Sequence, residues 1–257
     1  MSSIYYQKSG KVANLTISSP PANALSRAIL EELEALLEEI EQDQDVKAII
    51  IKGEGKFFSA GADIKEFTSL QQAEDYTALA KQGQKLFHRI ESFKIPVIAA
   101  IHGAALGGGL ELAMACHIRL VSDHAKLGLP ELSLGIIPGF AGTQRLPAFI
   151  GPAKAYEMIL TGEPISGTKA AELGLANHSY PEEVLFEKAD ELAAKVAAKS
   201  GPTIYRVMKL IPYTRSSRFQ EGMDMEANAF GKIFGNADAK EGIAAFIEKR
   251  KPNFQDK

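Results

Sequence analysis

The chain has 257 residues, 46% hydrophobic and 24% charged, which is enough apolar material for a packed core and shows no signature of general disorder. A net charge of −3 gives no long-range attraction for nucleic acid or an anionic membrane. The lone cysteine, Cys116, excludes an internal disulfide, fits a reducing, cytoplasmic setting, and reads as buried and inert in its apolar stretch.

Residues Ile4–Gln7 and Val12–Ile17 alternate apolar and polar side chains around Ser9-Gly10, which predicts a β-hairpin. After the Pro20-Pro21 loop, Ser26 is placed to cap an amphipathic helix over Ala28–Ile40, and Val46–Ile51 reads as a buried strand. A glycine-rich loop over Lys52–Glu66 leads to a long helix over Ala73–Phe93. Val97–Ile101 is a second buried strand, followed by a helix that opens at the glycine triplet and runs to Ala115, and then by a strand over Ile118–Ser122. The strand–helix–strand rhythm implies an α/β layered core with ligands at loops on one strand end. Helices are expected over Gln144–Thr161, Thr168–Leu173, Pro181–Lys199, Pro202–Leu210, Ser217–Phe234 and Asp238–Glu248, with a strand-like connector at Leu175–Tyr180. The chain divides near 195, into a strand-bearing core (1–195) and a helical C-terminal region (196–257). No internal sequence repeat is visible.

The Ile95–Leu110 stretch is uncharged but holds Pro96, His102 and four glycines. Glu111 ends it short of the ~20 residues a membrane span needs. The N-terminal residues also lack the apolar core of a signal peptide.

Glu111 is the only formal charge between Lys94 and Arg119, histidine being taken as neutral, and it follows directly on Gly107-Gly108-Gly109. Glu131 is likewise the only charge from Leu127 to Gln144. An isolated carboxylate in an apolar frame is costly to bury unless it is paired, protonated or put to use. Two of them, each beside a glycine-rich loop, read as two halves of one active site, one acting as acid and the other as base with a water between them. The small-residue turn Ser59-Ala60-Gly61-Ala62-Asp63 and the glycine triplet each expose backbone N–H groups, and one from each loop would stabilise an oxyanion.

Other chemistries find no support. Gly53-Glu-Gly-Lys56 lacks P-loop spacing, there is no G-x-S-x-G elbow, and the five histidines show no metal-ligand spacing.

Taken together, Ser59-Ala-Gly-Ala-Asp-Ile-Lys-Glu66, His102-Gly-x-x-x-Gly-Gly-Gly-x-Glu111, Leu129-Pro-Glu131, Ile137-Pro-Gly-x-x-Gly-Thr-Gln-Arg-Leu146 and Glu241-Gly-x-x-Ala-Phe-x-Glu-Lys-Arg-Lys-Pro-x-Phe254 resemble the enoyl-CoA hydratase/isomerase (crotonase) family over essentially the whole chain. The resemblance implies an α/β fold, a spiral of ββα units with a helical C-terminal trimerisation subdomain, assembled as a homotrimer or a hexamer (a dimer of trimers). By the same resemblance Glu111 activates water and Glu131 delivers a proton to the α-carbon, while Ala62 and Gly108 supply the oxyanion-hole N–H groups and Gly139 lies near the water and acyl group. Lys56, Ala60, Asp63 and Ile64 match the coenzyme A site, which Phe246 and Lys249 complete in a neighbouring subunit; the acyl tunnel draws on Gln71–Gln84 and on the helical C-terminal part. The implied substrate is an acyl-CoA thioester, with coenzyme A as part of the substrate, no separate cofactor, no metal and no nucleic acid or membrane partner. Hydration of trans-2-enoyl-CoA is the expected reaction. The alternatives are Δ3-Δ2-enoyl-CoA isomerisation, or an RNA-binding or silent CoA-binding protein on the same fold.

Overall fold

The chain enters as the predicted hairpin: β1 (Ile4–Ser9) pairs antiparallel with β2 (Val12–Ile17) across Gly10, which adopts a left-handed turn at φ 59. Helix α1 (Arg27–Gln42) starts where the sequence places its cap, the Ser26 hydroxyl accepting the Ile29 N–H at 3.3 Å. The computed structural model describes residues 3–63, 66, 73–215 and 237–255. The expected Ser217–Phe234 helix therefore lies outside the described residues.

From β3 (Ala48–Gly53) onward the chain repeats one pattern. A long buried strand is followed within a few residues by a short strand, and then by a helix. The first unit is β3, β4 (Phe57–Ser59) and α2 (Ala73–Glu91). The second is β5 (Val97–Ile101), β6 (Ala104–Leu106) and α3 (Gly108–Ala115). The third is β7 (Ile118–Ser122), β8 (Lys126–Gly128) and, after a short 3₁₀ turn at Glu131–Leu134, α4 (Gly142–Ile150). The long strands build a six-stranded sheet completed by β10 (His178–Tyr180), in the order β1-β2-β3-β5-β7-β10 and parallel beyond the hairpin. The short strands, with β9 (Ile165–Ser166), form a second sheet in the order β4-β6-β8-β9. This is the ββα spiral. Its repeat is structural, since the chain carries no matching sequence repeat.

Period-two alternation distributes the large sheet's side chains between two cores. Ile49 and Ile51 of β3 and Val97, Ala99 and Ile101 of β5 face the main core, with α1's Leu33 and Leu37. Ala48, Ile50, Ile98, Ala100 and Leu120 face the other way, against Leu185, Ala189 and Ala193 of a helix over Glu182–Ala197. The intervening helices are α5 (Pro152–Thr161) and α6 (Gly167–Glu172), which makes the Glu182–Ala197 helix α7; α8 (Gly201–Leu210) and α9 (Ala237–Ile247) follow. A buried Ser200–Asp238 hydrogen bond of 2.7 Å ties the start of α8 to α9.

Two sequence expectations need correction. The Lys52–Glu66 loop contains β4, and the segments after His102 and Asp123 contain β6 and β8. Three-residue strands are too short to show alternation, and they are stabilised by sheet partners remote in sequence. The single helix expected over Gln144–Thr161 is two helices, broken at Gly151 (φ 77) and restarted with Pro152 in the first turn, where a missing N–H costs nothing.

Candidate active site

The first turn of α3 delivers Glu111 into the middle of the fold, 1% exposed. Glu131, 9% exposed, comes from the 3₁₀ turn after β8. Both carboxyls line one cavity of about 850 Å³, together with Ala60, Gly61, Ala62, Gly107, Gly108 and Gly139. Leu79 and Ala80 of α2 form part of its wall, and the apolar Leu134, Ile136 and Ile137 lie near its mouth, the last 72% exposed.

Among the described residues Glu111 is held by backbone donors and forms no salt bridge. Its Oε1 accepts the backbone N–H groups of Phe140 at 2.8 Å and Gly142 at 2.6 Å. The residue between these donors, Ala141, sits in the left-handed region at φ 72, which is uncommon for a residue with a Cβ and here accompanies the convergence of both N–H groups on one oxygen. Oε2 takes no hydrogen bond from the described residues, so it is available to a water or substrate in the cavity. Burial raises the Glu111 pKa to about 7 and outweighs the two N–H bonds; the nearby Glu131 charge adds to the rise, while Arg145 opposes it. Burial also pushes Glu131 up, and its Oε2 is buried without a partner among the described residues.

The glycine triplet is not one device. Gly107 has φ +51, and a side chain there would meet Glu131 Oε1 at 2.9 Å. A methyl at Gly108 would lie 3.2 Å from the Ala62 nitrogen, filling the space that both residues border. Gly109 is a packing requirement, because a Cβ there would overlap the Ser59 carbonyl. As the first residue of α3, Gly108 has an N–H without an intrahelical acceptor, and the Ala62 N–H donates to no backbone carbonyl among the described residues.

The structure thus brings Glu111, Glu131, Ala62, Gly108, Gly139 and Ala60 to one cavity. Lys56 is exposed on the β3–β4 turn, and Asp63 follows the Leu25–Ala62 bridge; neither lines the cavity. Lys249 is exposed just past α9, Phe246 lies in α9 with its side chain outside what is described, and Ile64 lies outside the described residues. Gln71, also cited for the acyl tunnel, is outside them as well.

Sequence reasoning named Gln84 and Arg145 only as parts of a range and a motif and missed their supporting role. Gln84 donates to the Gly139 carbonyl at 2.9 Å. Arg145 donates to the Phe140 carbonyl at 2.8 Å and to Glu91 at 3.2 Å, bracing the loop that holds Glu111. The Ile137–Leu146 motif contained the signal, since the glycines and the arginine follow Glu131 closely, but the role of each residue depends on contacts with α2 and α3 that no local pattern shows. Cys116 is buried, with its thiol pushed up to about 12, which leaves it unreactive.

The family model for enoyl-CoA hydratase/isomerase matches residues 7–257 of the chain. A Bacillus subtilis (strain 168) protein named "Probable enoyl-CoA hydratase" is 60% identical over 245 residues, covering 95% of each chain. A crotonyl-CoA hydratase of Syntrophomonas wolfei is 41% identical over 256 residues, which is 98% of this chain and 97% of that one. Among solved structures, an enoyl-CoA hydratase from Bacillus anthracis superposes with a TM-score of 0.95 at 37% identity, over 100% of both chains.

Proposed function

The chain belongs to the enoyl-CoA hydratase/isomerase family and is an enzyme of it, and we propose that its reaction is the reversible syn addition of water to trans-2-enoyl-CoA, giving 3-hydroxyacyl-CoA. The observation that carries this reading is the pair of buried carboxyls, Glu111 and Glu131, in one cavity with the Ala62 and Gly108 N–H groups.

In the proposed mechanism the thioester oxygen sits between the Ala62 and Gly108 N–H groups. Glu111, ionised, takes a proton from a water as the water oxygen bonds to the β-carbon. The displaced electron pair moves through the α-carbon to the thioester oxygen, where the two N–H groups stabilise the charge. Glu131, protonated at this step and biased toward that form by burial, gives its proton to the α-carbon as the carbonyl re-forms. One proton has then moved onto Glu111 and one has left Glu131, and exchange with solvent restores the starting state. Gly139 positions the water and acyl group, its carbonyl fixed by Gln84. Isomerisation would need only one proton shuttle, so two carboxyls at one cavity favour hydration. The substrate brings its own coenzyme A, and no further cofactor enters the scheme.

We place coenzyme A at Lys56, Ala60, Asp63 and Ile64, with Phe246 and Lys249 closing a neighbouring subunit's site in a cytoplasmic homotrimer or hexamer. Residues 196–257 supply the trimer contacts. Among the described residues no helix is long and apolar enough to cross a membrane.

Hydration of crotonyl-CoA, followed by loss of the conjugated thioester absorbance, tests the reading. The native chain should turn over, and Glu111→Gln and Glu131→Gln should each lower the rate by about 10²-fold or more. A native chain that binds enoyl-CoA esters but hydrates none of them refutes it.

A further inference from the structure

One bulky side chain at the cavity has no part in the proton chemistry. Phe140 gives its N–H to Glu111, and the residue, 4% exposed, lines the cavity with its ring beside Gly108. The ring is clamped on three sides. It meets Phe87 edge-on, with centroids 5.3 Å apart and planes at 77°. It lies so close over Gly83 that a Cβ there would overlap ring carbons, and a Cβ at Gly108 would stand 3.2 Å from it. Glycine inside a helix is unfavourable relative to alanine, so Gly83, in the middle of α2, is accounted for by the seat it gives this ring.

The position of the ring follows the order of the substrate's atoms. With the thioester oxygen at Ala62 and Gly108, the α-carbon faces Glu131 and the β-carbon faces Glu111. The Glu111 carboxyl is held by the Phe140 N–H and the ring stands beside Gly108, 3.2 Å from where a Cβ would lie, so a group beyond the β-carbon leaves the reacting centre beside that ring. We propose that Phe140, seated on Gly83, is the specificity-determining stop that closes the cavity between α2 and α3 and selects short, unbranched acyl groups. This rests on the enoyl-thioester reading above.

The test measures binding as well as turnover, so that a failure of the hydratase reading is told apart from a failure of the stop. Dissociation constants of butyryl-CoA and octanoyl-CoA, measured by calorimetry, and kcat/KM for crotonyl-CoA and trans-2-octenoyl-CoA, are compared for the native chain, Phe140→Ala, Phe140→Leu and Gly83→Ala. Each methylene admitted to an apolar site is worth roughly fourfold in affinity. Phe140→Ala should therefore improve the octanoyl-to-butyryl ratio by about tenfold or more, and Phe140→Leu by less. Gly83→Ala, which pushes the ring into the cavity, should move the ratio the opposite way, and adding Phe140→Ala to it should reverse that change. Loss of turnover with the ratio shift intact would strike the hydratase reading alone. Ratios within about twofold of the native value in Phe140→Leu and Gly83→Ala, or in Phe140→Ala where it folds, overturn the stop.

Discussion

Replacing Glu111 by glutamine should lower activity by about 10²-fold or more and, above neutral pH, make the protein more stable. The carboxyl is 1% exposed, and burial is the largest cause of its rise from 4.5 to about 7. A carboxyl whose folded pKa lies above its unfolded value contributes fully below the unfolded pKa, and that contribution is lost as pH rises through the folded pKa. The loss therefore spreads between about pH 4.5 and pH 7 and amounts to about 3 kcal/mol on the alkaline side. Glutamine keeps an oxygen for the Phe140 and Gly142 N–H groups but cannot ionise, so it escapes this cost. Urea unfolding of both proteins at one fixed concentration, at steps from pH 5 to pH 8, should show the variant's advantage growing by roughly 2–3 kcal/mol over that range. A difference that stays constant with pH, or that turns against the variant as pH rises, would refute the assignment of Glu111 as a buried group held near neutrality.

Three further substitutions probe the same site. Gly108→Ala should lower crotonyl-CoA hydration by about 10²-fold, because its methyl would stand 3.2 Å from both the Ala62 nitrogen and the Phe140 ring; near-native turnover would remove Gly108 from the oxyanion hole. Arg145→Gln takes away a charge that holds Glu111 down, so the rise of kcat/KM with pH, which the proposed mechanism ties to ionisation of Glu111, should move to higher pH; an unmoved profile limits Arg145 to bracing the Phe140 carbonyl. Ala141→Gly should stabilise the chain by up to about 1 kcal/mol in urea, since alanine is strained at φ 72, and a clear loss of stability would show that its methyl is needed.

The sequence shows the large sheet and the acids clearly, and for the same reason: each carries a local signal. The β3 and β5 strands are runs of consecutive apolar residues, and Glu111 and Glu131 stand out because nothing charged surrounds them. The second sheet is invisible because its strands β4, β6 and β8 are three residues each, and their pairing joins segments some 20 to 50 residues apart. The glycine triplet shows the limit within a single motif. Its chemistry looked like one property, the exposure of backbone N–H groups, yet Gly107 makes room for Glu131, Gly108 borders Ala62, and Gly109 only lets α3 pack on Ser59. No reading of three adjacent glycines separates those roles, because each is set by a neighbour outside the glycines' own unit of the spiral, Glu131 in the third unit and Ala62 and Ser59 in the first. The same holds for Phe140 and Gly83: apart in the chain, each looks unremarkable, and only the packing of α2 against the loop before α4 makes them a matched pair. The two acids are legible because an isolated charge in a long apolar stretch is rare in any sequence. Substrate selection is not, because a stop for an acyl chain is built from ordinary apolar residues whose meaning lies in what they touch.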